Sequence, residues 1–203
     1  VSSDEVVDIF AAAGLKNPDI SVLSDEFLAE VRAMPHRNLA VELLQKLIKG
    51  ELTIRRRKNV VQARSFAGML EETLRRYENR AIEAAQVIEE LIQMAREIRA
   101  ASERGEKLGL TDDELAFYDA LETNDSAVQV LGDETLRDIA RELVETVRRN
   151  VGIDWTLRED AHARLRVLVR RLLRRFGYPP DKQEKATETV LEQAELVSDE
   201  WVL

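Results

Sequence analysis

The chain has 203 residues, 44% of them hydrophobic and 34% charged. That is enough apolar material for one packed domain or two small ones, and it excludes a chain disordered throughout. With no Cys and only two His, disulfides, cysteine–zinc sites and thiol nucleophiles are excluded, and a histidine-built metal site or triad has little to draw on. The net charge of -9 disfavours a non-specific nucleic-acid coat but leaves room for a local basic face. Residues 111–136 hold eight acids and no base, whereas 137–175 hold eleven Arg, no Lys and six acids.

Eight Gly and four Pro favour helices over a turn-rich β fold. Apolar runs are too short to span a membrane. The chain opens on Val1 with no signal-peptide pattern, which reads as a piece of a larger protein. Ser2-x-x-Glu5 is a capping-box pattern opening a short helix that Gly14 can stop. Asn17-Pro18-Asp19 is a turn. Ser24 caps the next helix, with Asp25 and Glu26 against its positive end. Pro35 ends that helix and suits the first position of a third. There Leu39, Ala40, Leu43, Leu44, Leu47 and Ile48 repeat at a period near 3.6, and Gly50 is the expected stop.

The stripe Val60, Ala63, Ala67, Leu70, Leu74, Tyr77, Ala81, Ala84, Ile88, Leu91, Ala95, Ile98 runs on in steps of three and four. It predicts one long central helix over about 58–104, roughly 70 Å at ~1.5 Å per residue. Two helices kinked near Asn79 are the alternative. Thr111-x-x-Glu114 opens a short helix through Leu121. Glu122 to Gly132 reads as a polar connection, after which Asp133 caps a helix that Gly152 stops. Thr156-x-x-Glu159 opens the next, ended by Gly177. Pro180 leads into a last helix with Ala186, Val190, Gln193 and Val197 on one side and Trp201 near its end. No strand pattern of useful length occurs. The expectation is an all-α multi-helix bundle of seven to nine helices. Residues 1–50 would form an N-terminal sub-bundle and 51–203 the long helix plus a C-terminal bundle, with the basic segment 51–58 at the join.

Few constellations carry chemistry. No glycine immediately precedes a lysine, so a phosphate loop is missing. Pro18-Asp19 has the first letters of a Mg²⁺ nuclease motif, but no Asp or Glu is followed two positions later by Lys. Glu159-x-x-His162 is half of a di-iron pattern, and His36 has no matching Glu. Both histidines read as exposed or capping residues. Paired carboxylates on acidic helices are usually solvated faces or cap charges. No catalytic, cofactor-binding or metal-ligating residue is assigned.

The arginines are the best local signal. On a helical wheel Arg164, Arg170, Arg171, Arg174 and Arg175 fall within roughly 140° at about 100° per residue. Arg55, Arg56, Arg57 and Lys58 form a second cluster. Such rows hold phosphates of DNA or pair with acids of a partner protein. They also pair within their own chain, and the acidic stretch 111–136 is an available intramolecular partner. Phe117, Tyr118 and Trp155 read as core or as interface anchors.

The stretch NVVQARSFAGMLEETLRRYENRAIEAAQVIEELIQMAREIR (59–99) resembles the C-terminal region of type I restriction endonuclease R subunits (HsdR). So do LGLTDDELAFYDAL (108–121), LGDETLRDIARELVETVRRNVGIDW (131–155) and RLRVLVRRLLRRFGYPPDKQEKATETVLEQAE (164–195). The resemblance implies a bacterial or archaeal cytoplasmic parent with an N-terminal Mg²⁺ nuclease and two ATP-driven DNA-translocating motor domains. A helical C-terminal domain then docks that machinery onto the methylase (HsdM) and specificity (HsdS) subunits. For this chain it implies an assembly role with no cofactor of its own. The expected partners are HsdM, HsdS, the rest of the R subunit and, through the arginine rows, double-stranded DNA, with no membrane. A DNA-backbone-binding module and an independent hydrolase are the alternatives.

Overall fold

The computed structural model describes residues 24–123, 125–151 and 159–201, the last three as backbone. Among these residues all regular structure is helical. The helices are α1 (Asp25–Ala33), α2 (Arg37–Lys58), α3 (Val60–Glu78), α4 (Ala84–Leu108), α5 (Asp112–Glu122), α6 (Asp125–Asn150), α7 (Glu159–Arg175) and α8 (Gln183–Trp201), with a short 3-10 turn at Pro180–Lys182. The all-α expectation holds. No described helix is long and apolar enough to cross a membrane. The expected features at Ser2 to Glu5, Gly14, Asn17 to Asp19, Gly152, Trp155 and Thr156 lie outside the described residues, as does the Trp201 side chain.

Ser24 caps α1 as expected, its hydroxyl accepting from the Phe27 N–H at 3.2 Å. Thr111 and Glu114 form the expected capping box of α5, with bonds of 3.3 and 2.8 Å. Pro35 lies in the turn before α2, whose first bond runs from the Ala40 N–H to the His36 carbonyl. Gly50 does not stop α2. A mid-helix glycine costs only about 1 kcal/mol, and the stripe through Leu43, Leu44 and Ile48 continues to buried Leu52. Residues 51–58 are therefore the end of a helix, not a linker.

The single helix over 58–104 is corrected to two, α3 and α4, broken at residues 79–83. The break is a Schellman closure: the Arg80 N–H donates to Tyr77 O and the Ala81 N–H to Arg76 O, at 2.9 and 2.8 Å, with Arg80 left-handed at φ 55°. Asn59 ends α2 and starts α3, so the stripe does not extend back to residue 58 as helix either. The polar connection 122–132 is also corrected. Residues from Asp125 onward are helical, and Gly132 (φ 72°, ψ 166°) makes a kink inside α6 instead of ending a loop. Only glycine adopts that backbone readily.

The described contacts divide the chain into two units, and not at residue 50. One holds the described residues up to Ile54 together with Ala63–Glu103, and the other Arg55–Gln62 together with the described residues from Arg104 onward. The physical reason is that α3 and α4 complete the core begun by α1 and α2. Phe27, Leu28, Val31, Leu44, Ile48, Ile88, Leu91 and Ile98 share one apolar cluster. In the second unit α5 packs on α6 and α8, and α7 on α6 and α8, around Phe117, Leu121, Ile139, Leu143, Leu165, Val169 and Val190. Phe117 and Tyr118 are core residues here.

Candidate interaction surface

The second unit carries the sequence-predicted arginines. Helix α7 buries Leu165, Val169, Leu172 and Leu173 and turns Arg164, Arg171, Arg174 and Arg175 outward, with Arg170 half-buried. Gly177 ends it in the left-handed conformation at φ 73°. Its N–H donates to Arg174 O, and the Tyr178 N–H to Leu173 O.

Three of the five predicted arginines on α7 are engaged with described residues of the chain. Arg170 pairs with Glu184 of α8, which also lies 3.5 Å from Arg166. The Arg174 Nε–H donates to Gln183 Oε1 at 3.3 Å. Arg175 pairs with Glu142 of α6 and lies over the Phe176 ring, 4.9 Å from its centroid. Arg164 and Arg171 are exposed with no partner among the described residues. The partners come from α6 and α8, not from 111–136. The acids of that stretch are used elsewhere: Asp112 toward Lys58 at 3.8 Å, Asp113 with Arg148 at 2.9 Å, Asp119 and Glu122 with Arg104.

The second predicted cluster is split by burial. Arg55 is 8% exposed and donates to Gln62 Oε1 at 2.6 Å, so it is part of the interior. Arg56 and Arg57 are exposed with no partner among the described residues. Among the described residues the Lys58 ammonium makes the long exposed pair with Asp112, of a kind worth little.

Next to Arg55 lies a buried polar network that the sequence reading did not anticipate. Asp119 is 4% exposed. Its carboxylate accepts from Asn59 Nδ2 at 2.7 Å, Gln62 Nε2 at 2.6 Å and Arg104 at 2.8 Å. Burial pushes its carboxyl above the ordinary range, outweighing the Asn59 hydrogen bond, the Arg104 charge and the Gln62 hydrogen bond that favour ionisation. Burial also disfavours the Arg104 cation, but the Glu122 hydrogen bond and the charges of Asp119 and Glu122 more than offset it. The two directions are compatible, because Arg104 is partly exposed and faces two acids while Asp119 is almost fully desolvated. Tyr118 is pushed up to about 12 by burial, by Glu122 and by its bond to Asp133. It therefore stays protonated and donates to Asp133 at 3.0 Å, beside the α6 kink.

Gln193 of α8 closes the same region. Its amide donates to Lys58 O at 2.7 Å and accepts from the Val60 N–H at 3.0 Å, satisfying both helix ends at the α2–α3 junction. Asn59 caps α3 by accepting from the Gln62 N–H. His162 contacts Glu195 of α8 at 2.8 Å. Among the described residues no group of three or more His, Asp or Glu is placed to hold a metal ion.

Residues 1–200 match the family described as Type I restriction enzyme HindI endonuclease subunit-like, C-terminal. The chain belongs to this family. It is 40% identical over 200 residues to the Type I restriction enzyme HindI endonuclease subunit of Haemophilus influenzae, a match covering 98% of this chain and 19% of that protein. It is 32% identical over 178 residues to a Methanocaldococcus jannaschii protein named "Putative type I restriction enzyme MjaIXP endonuclease subunit", covering 87% and 17%. The chain thus spans about a fifth of the length of the curated relatives it matches. No solved structure matches it. The resemblance to the C-terminal region of type I restriction subunits is borne out over nearly the whole chain.

In this HindI-subunit-like C-terminal domain the buried network had a faint sequence signal. Asn59 directly before an apolar-periodic run is an N-cap pattern. Gln193 in the apolar stripe of α8 is a polar side chain at a core position, where a hydrogen-bond partner is required. Asp119 had none, because an acid in a strongly acidic stretch reads as solvated.

Proposed function

We propose that this chain is the non-catalytic assembly domain of a type I restriction endonuclease subunit, docking that subunit onto the methylase and specificity subunits (HsdM and HsdS). The observation that carries this reading is the match of residues 1–200 to a C-terminal family, in relatives of which the chain covers under a fifth. The nuclease and motor chemistry, with its ATP and Mg²⁺, belongs on this reading to the rest of the parent subunit. What this chain's own described residues offer is surface: helices with full cores and arginines facing outward.

The test is to mix the purified chain with the methylase–specificity complex and follow co-elution by size-exclusion chromatography. Co-elution is expected. Separate elution, together with normal assembly by a parent subunit lacking this region, would rule docking out. A second reading, contact with the DNA backbone, is favoured by Arg56, Arg57, Arg164 and Arg171, which have no partner among the described residues.

A further inference from the structure

We propose that the outward face of α7 around Val167 docks a protein helix that carries two carboxylates one on each side of an apolar side chain. This deepens the docking reading above and rests on it. Val167 is 64% exposed and lies in the middle of the arginine arc. At about 100° per residue, Arg171 and Arg164 fall about 40° and 60° to one side of it, and Arg174 and Arg170 about 20° and 60° to the other. Val167 adds nothing to the core, which Leu165, Val169, Leu172 and Leu173 already fill. Covering the Val167 side chain with a partner would remove that apolar surface from water, a favourable contribution to docking.

The charges specify the partner. Arg164 and Arg171 are seven residues apart, so their stems are separated by about 10.5 Å along the helix, with Val167 between them. A partner helix matching that spacing carries Asp or Glu at positions about seven apart and a Leu, Ile or Met between. Guanidinium groups bind carboxylates in a bidentate fork. A duplex is the poorer fit. Phosphates have no apolar counterpart for Val167, which is 64% exposed at the centre of the face.

The experiment measures binding of the 203-residue chain to the methylase–specificity complex and, separately, to a short duplex at low salt. The variants are Val167→Thr, which keeps the shape but replaces a methyl by a hydroxyl, and the double change Arg164→Glu with Arg171→Glu. Far-ultraviolet circular dichroism checks that each remains helical. The expected result is at least about a tenfold loss of affinity for the complex in each variant, the scale of an uncovered valine or a broken ion pair, with Val167→Thr leaving duplex binding unchanged. If the unsubstituted chain does not bind the complex, the docking reading fails and this surface with it. If it binds and both variants bind equally well, docking stands and this surface is wrong. If charge reversal removes duplex binding and leaves the complex intact, the face belongs to DNA and the proposal is overturned.

Discussion

Asp119 shows how one side chain acquires a property its sequence neighbours do not suggest. It lies in a stretch with eight acids and no base, yet it is buried among Asn59, Gln62 and Arg104. Its folded carboxyl titrates above the ordinary value of 3.8, so between these two values the folded state holds the more protons. Its contribution to stability is therefore complete below 3.8 and is lost as pH rises through the raised value. Urea unfolding from about pH 3.5 to about pH 7 should show the wild type losing stability relative to Asp119→Asn as pH rises. Parallel curves would contradict this. Asp25 has the opposite sign. Hydrogen bonds from Arg99 and Arg96 hold its carboxyl below the ordinary range, so its contribution is present at neutral pH and is lost as pH falls through the lowered value.

At the scale of the element, helix ends decide what periodicity cannot. The apolar stripe runs unbroken from Val60 to Ile98, with no Pro or Gly near residue 80, so the pattern alone favours one rod. The chain breaks it anyway, at Arg80, in a left-handed conformation that costs a non-glycine residue about 1–2 kcal/mol. Arg80→Gly should therefore raise stability by about 0.5–1 kcal/mol, measured as a shift in urea midpoint at unchanged m-value. Gly177 closes α7 with the same pair of bonds, and there glycine was the signal that made the end legible. Gly177→Ala should lower stability by about 1 kcal/mol. A null result at both positions would mean that the left-handed residue carries no side-chain penalty in either closure. Gly50 teaches the converse: a breaker inside α2 is overridden because residues on both sides of it are buried on one face.

At the scale of the whole molecule the question is which charges face outward unpaired. Of the nine basic candidates read from the sequence, Arg56, Arg57, Arg164 and Arg171 are exposed with no partner among the described residues. If the chain holds a duplex through these four, the logarithm of the affinity should fall with the logarithm of salt concentration at a slope of about −3.6 from them. Reversing all four should remove that share of the slope in a gel-shift titration; a slope unchanged by the reversal would assign these side chains no phosphate contact. Apolar periodicity, capping boxes and the scarcity of breakers determined an all-α chain, the helix starts capped by Ser24 and Thr111 and the apolar faces, because those are properties of neighbours three and four residues apart. Tertiary structure alone decided where the long stripe breaks, which residues share each core, and that Asp119 and Arg55 are interior while Arg164 and Arg171 are not. The reason is that burial and charge pairing depend on side chains brought together from 7 to 135 residues away, a distance over which sequence pattern carries no geometry.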